Sequence, residues 1–226
     1  MRRTLVAALG AGLLVGASAG SAGAAEPRIY HTITDTTAYA EVSQVDTSGC
    51  IETSLWVTSS AAMYTGKPSG LNTQDRTTVD LVVRDLCASA PDGVVTAAAG
   101  PGVVVFQASG ETAVAPVVDT RLTTATVSAD FLGQDGVPIS VDVTWSGTGE
   151  LTRSHVVVHD GTEEGNVSST ATEVRREARA EVSAGVGGYD VIATTEAASL
   201  STIRFRCVEV PRPGVEEYYP CFGFPG

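Results

Sequence analysis

VPISVDVTWS, residues 137–146, places Val137, Ile139, Val141, Val143 and Trp145 on one side of an extended chain and Ser140, Asp142, Thr144 and Ser146 on the other. A period of two is what a half-buried strand requires, because successive side chains leave opposite faces. Just upstream, Ala125, Val127, Ala129 and Phe131 alternate with Thr124, Thr126, Ser128 and Asp130, and the turn formers Gly133-Gln134-Asp135-Gly136 lie between. The two segments therefore read as an antiparallel hairpin.

Working outward, the same pattern marks strands at Thr36–Val45, Cys50–Thr58, Thr77–Leu86, Val94–Ala99, Val103–Gln107, Ser154–His159 and Ser201–Val208. Gly, Pro, Asp and Ser separate them, so the expected class is all-β: an antiparallel β-sandwich or open barrel. EVRREARAEV, residues 173–182, contains helix formers. As a helix it would stack Glu173 on Glu177, Arg175 on Arg179 and Glu177 on Glu181, three like-charge pairs. As a strand it alternates Glu177, Arg179 and Glu181 against Ala178, Ala180 and Val182, and the strand is preferred. Thr36-Thr37-Ala38 precedes Trp56 much as Thr123-Thr124-Ala125 precedes Trp145. Duplication and two unrelated hairpins both explain that echo.

Residues 1–25 read as a secretory signal: Arg2 and Arg3, an apolar run from Leu5 to Ala17, and a small-residue exit with cleavage near Ala24 or Ala25. The run is too short and glycine-rich to stay in a hydrocarbon layer of roughly 30 Å, and no later segment suggests a membrane span. Residues 26–210 then form one domain, with 211–226 as a Pro- and aromatic-rich tail. A formal charge of −12 disfavours nucleic acid as a partner. Lys67 is the only lysine, a usage that fits high-GC coding.

An extracellular chain with four cysteines is expected to be disulfide-stapled. Cys50 begins one strand and Cys87 ends the next, with the turn signal Lys67-Pro68-Ser69-Gly70 midway, so a cross-strand bridge is the natural pairing. Cys207 and Cys221 pair by elimination; the two other connectivities stay open. Zinc is disfavoured because no Cys-x-x-Cys occurs.

No catalytic constellation is expected. His155 and His159 flank three valines, and a strand would set them about 13 Å apart, too far to share a metal. Asp160-Gly161-Thr162-Glu163-Glu164-Gly165-Asn166 is rich in oxygen ligands without EF-hand spacing and reads as an acidic surface loop. The one Gly-x-Ser-x-Gly, at Gly16–Gly20, lies inside the signal, and no cofactor motif occurs. The candidate ligand-binding residues are aromatic: Trp56, which shares a strand face with Glu52, Ser54 and Thr58, and Tyr218, Tyr219 and Phe222 of the tail. A covered Trp56 face is the blander alternative.

Gly49-Cys50-Ile51-Glu52, Cys87, the run Val143-Thr144-Trp145-Ser146-Gly147-Thr148-Gly149-Glu150-Leu151 and the Ala-x-Ala-x-Val strand at Ala178 resemble a family of uncharacterised secreted bacterial proteins. The resemblance spans most of residues 36–205 and implies a cysteine-paired, β-rich single domain; it implies no activity. The leading expectation is a secreted, non-catalytic protein that binds cell-wall polysaccharide or another extracellular protein. A secreted hydrolase with a loop-built site and a secreted inhibitor are the alternatives.

Overall fold

The computed structural model of the protein describes residues 29–66, 70–88, 102–161 and 165–212. The signal segment, the Val94–Ala99 strand and the tail residues Tyr218, Tyr219, Cys221 and Phe222 lie outside them. The described residues form ten strands: β1 (Ile29–Val45), β2 (Ile51–Gly66), β3 (Gly70–Asp85), β4 (Val103–Thr112), β5 (Val117–Val118), β6 (Thr124–Leu132), β7 (Pro138–Gly147), β8 (Thr152–Gly161), β9 (Gly165–Val186) and β10 (Tyr189–Pro211). All pairings are antiparallel within one sheet of order β4-β3-β2-β1-β10-β9-β7-β6-β5, with β8 also paired to β9. The chain is thus all-β, and of the two expected architectures it takes the single unclosed sheet.

The hairpin read from residues 124–146 is β6–β7, with Ala125 opposite Trp145 and Val127 opposite Val143. Gly133 N–H donates to Val137 O at 2.8 Å across its turn. EVRREARAEV is part of β9, where Ala178, Ala180 and Val182 are buried and Glu177, Arg179 and Glu181 exposed. The echo between the halves is not structural: Trp145 faces Ala125, whereas Trp56 pairs with Glu41 and its indole points away from the core face.

One face of the sheet carries the core. Ala38, Ala40 and Val42 of β1, Leu55 and Val57 of β2, Val79, Leu81 and Val83 of β3, and the inward rows of β6, β7, β9 and β10 form a single apolar cluster. The sheet curls until its two flanks meet. Gln134 N–H, in the β6–β7 turn, donates to Ser109 O of β4 at 3.0 Å. Gly110 permits this approach, since a Cβ there would lie 2.7 Å from Ile139 Cδ1 and 2.9 Å from Gly133 Cα. Gly110→Val is expected to cost about 1–3 kcal/mol by overpacking. Urea denaturation measures this; an unchanged midpoint would show that the flanks do not touch.

β9 is the strand that organises the rest. Its residues 178–186 pair with β7, its residues 166–175 pair with β8, and its other edge pairs with β10 throughout. An extra residue in β10 between Thr195 and Ala198 keeps both halves of β10 in phase with the core. Beyond Ala38 and Leu200 the strands run on past the core, which divides the sheet into a packed half and an extended half.

Candidate functional site

In the extended half the sheet reverses its burial. His31, Val167, Ser169, Cys207 and Glu209 are buried, and all belong to the row opposite the core row. His31 Nε2 lies 3.3 Å from Glu209 Oε2. The core-side row of the same strands is open. Read across from β8 to β3, one rank is His155, Thr172, Arg204, Thr34, Met63 and Thr73; the next is Val157, Thr170, Arg206, Thr32 and Thr65. A third begins with Arg153 and continues through Val174, Thr202, Thr36 and Ala61 to Asp75.

Side-chain contacts fix these residues on a common face. Thr36 Oγ1 and Thr202 Oγ1 are 3.2 Å apart, His155 Nδ1 and Thr172 Oγ1 are 3.0 Å apart, and the Arg206 guanidinium stands 5.7 Å from the centre of the Tyr30 ring. Arg153, His155, Arg204 and Arg206 are exposed, and the threonines of β1, β9 and β10 are half-buried among them. Ranks in such a sheet repeat about 4.8 Å across the strands and about 6.8 Å along them. The result is a regular field of hydroxyls with cations set into it.

Charge is sorted between the two faces. Among the described residues on the extended parts of β1, β2, β8, β9 and β10 no carboxylate belongs to the open row, and Asp35, Asp160, Glu173 and Glu209 all belong to the reverse row; Asp75, on β3 at the margin, is the carboxylate of the open row. In a chain of formal charge −12 this is an uncommon separation. Arg76, Arg84, Arg175 and Arg179 elsewhere each have a glutamate oxygen within 3.9 Å. Among the described residues Arg153, Arg204 and Arg206 form no ion pair.

Of the residues singled out from sequence, Trp56 sits on the outer side of the packed half, half-buried, with Glu41 and Asp80 as its cross-strand neighbours. Next to it, the Tyr39 hydroxyl donates to Glu41 Oε2 at 2.9 Å. Burial, that bond and the Glu41 charge push the Tyr39 phenol up to about 12. Burial also pushes the Asp80 carboxyl above the usual range. For the Asp80 carboxyl, a raised folded-state value means that the charged form is penalised at neutral pH and that the penalty disappears below the unfolded value. Asp80→Asn should therefore raise the thermal midpoint at pH 7, and the gain should vanish once acid protonates the parent carboxyl. A gain unchanged in acid would contradict a charge-based cause.

The Cys50–Cys87 disulfide is present, with Cα atoms 5.1 Å apart. Cys207 is fully buried and disulfide-bonded; its expected partner Cys221 lies outside the described residues. His155 and His159 stand on a strand, as expected, and both belong to the open row. Residues 162–164 of the acidic loop lie outside the described residues. Among the described residues no three His, Cys, Asp or Glu cluster as a metal site would need, and no helix is long and apolar enough to cross a membrane.

Sequence reasoning did not assemble the open face. Its signals were present as Thr32, Thr34 and Thr36 in HTITDTT and as Arg204 and Arg206 in RFR. The polarity of Thr32 and Thr34 concealed the start of β1, whereas Arg204 and Arg206 lie on the expected Ser201–Val208 strand and only their shared face with β1 and β8 went unread. No protein-family model matches the chain, and no curated protein matches it.

Proposed function

We propose that the protein is a secreted, non-catalytic binding protein, acting at the cell envelope or in the medium through the open half of its core-side face. The observation that carries this reading is the division of one face into a packed apolar half and an exposed half that is hydroxyl-rich and, on the described parts of β1, β2, β8, β9 and β10, holds no carboxylate, Asp75 of β3 standing at its margin. A merely solvated face would draw its share of the chain's 26 acidic residues. Threonine hydroxyls both donate and accept, which suits sugar hydroxyls, and the exposed Tyr30 ring offers a stacking surface. The disulfide supports residence in an oxidising compartment, and the basic-apolar-small order of residues 1–25 supports export.

Co-sedimentation with insoluble polysaccharides and cell-wall preparations tests the proposal. The parent protein and Trp56→Ala should pellet with the ligand, whereas Thr34→Tyr, which raises a ring in the middle of the open ranks, should stay in solution. Loss in Trp56→Ala alone would move the binding surface to the outer side of the packed half.

A further inference from the structure

We infer that the open face takes an anionic extracellular glycan, one carrying carboxylate or phosphate groups on some of its sugars, with Arg153, Arg204 and Arg206 pairing those groups. The inference rests on the binding role proposed above and names its ligand class. Three observations combine.

The three arginines are exposed and form no ion pair among the described residues, while Arg76, Arg84, Arg175 and Arg179 do. An unpaired guanidinium presents a planar fork that matches carboxylate and phosphate oxygens. On β1, β8, β9 and β10, the strands around them, every described carboxylate of the extended half belongs to the reverse row; the open row's Asp75 stands on β3, three strands from Arg204, so an arriving anion meets no like charge beside the arginines among the described residues.

Spacing supplies the second part. Arg204 and Arg206 are two residues apart on β10, about 6.8 Å, and Arg153 is two strands and one rank away, about 12 Å. The cations are thus spread over a span of several sugar rings, with Thr172, Val174 and Thr202 between Arg153 and the two arginines of β10. The ring of Tyr30 stands beneath the Arg206 guanidinium at 5.7 Å and orients it without neutralising it.

The third part is the overall charge. Duplex nucleic acid carries one charge per roughly 1.7 Å of axis, and a protein of formal charge −12 repels so dense a polyanion. A glycan charged on only some of its sugars places neutral hydroxyls over the threonines and isolated anions over the arginines.

Affinity electrophoresis of the purified full chain separates the outcomes. The gels contain polygalacturonate, poly(glycerol phosphate) or neutral dextran, and the variants are Arg204→Gln/Arg206→Gln and, as a control, Arg76→Gln. Retardation is expected in at least one anionic gel and not in dextran, and the gel that retards identifies carboxylate or phosphate as the recognised group. The double variant should bind at least about tenfold more weakly, Arg76→Gln should match the parent, and raising salt from about 50 to 200 mM should weaken binding. Equal retardation in dextran, or a double variant that binds like the parent, would overturn the anionic ligand and leave the binding role standing. Passage through all three gels without retardation, together with no co-sedimentation with cell-wall material, would overturn both.

Discussion

Trp145→Ala is expected to lower stability by about 3–5 kcal/mol, enough to unfold a protein of ordinary stability. The indole is fully buried, with Ala125 and Ala180 as its cross-strand neighbours, and these small side chains leave the room it fills. It also makes a specific polar contact. The β1–β10 ladder ends at Ala40 opposite Ala198, and near that end Trp145 Nε1–H donates to Tyr39 O at 2.8 Å while Thr195 Oγ1 donates to Glu41 O at 2.7 Å. Trp145 thus ties β7 to β1 across the two strands between them in the sheet. Trp145→Phe separates the effects: it retains most of the volume, gives up the hydrogen bond, and should cost about 1–3 kcal/mol. Urea denaturation reads both. A loss below about 1 kcal/mol for the alanine variant would mean that the sheet does not curl around this residue.

Replacing both Cys50 and Cys87 by serine is expected to cost about 2–4 kcal/mol. The bridge spans a sequence separation of 37 residues and closes the open end of the β2–β3 hairpin, where Leu86 N–H donates to Cys50 O at 2.6 Å. Restricting the unfolded chain over a loop of that size is worth about 4 kcal/mol by loop entropy, and the ladder already formed between β2 and β3 argues for somewhat less. The double variant leaves Cys207 untouched, which a reducing agent would not. An unchanged denaturation midpoint would show that the hairpin holds its own end together.

The packed half of the fold was legible, whereas of the extended half the Ser154–His159 and Ser201–Val208 strands were read and the outer ends of β1 and β2 were not. Strands are recognised by an apolar row, and Val137–Trp145, Ala125–Phe131 and Ala178–Val182 have one because the core lies over them. β1 was expected to begin at Thr36 and begins at Ile29; β2 was expected to end at Thr58 and runs to Gly66. In β1 the missing residues lie where the core-side row turns to threonine; in β2 that row continues as Ser59, Ala61, Met63 and Thr65, too mixed to mark a strand. Cys50 and Cys87 were pairable because a clear turn signal stood between them, and the Gly66–Gly70 pairing bears that turn out. Arg153, Arg204 and Arg206 were invisible as a group, since only the register of β8, β9 and β10 brings residues about fifty positions apart onto one face.

Two residues of β10 put the central claim to a direct test. Leu200 and Arg204 share a strand and a face four positions apart; the first is fully buried in the core and the second exposed on the open ranks. Thermal unfolding of Leu200→Glu and Arg204→Glu should diverge sharply. A carboxylate at position 200 is a buried unpaired charge and should abolish the cooperative transition. The same group at position 204 should leave stability within about 0.5 kcal/mol of the parent. If Arg204→Glu is destabilised as severely as Leu200→Glu, the face is packed along its whole length and no open half exists to bind a ligand.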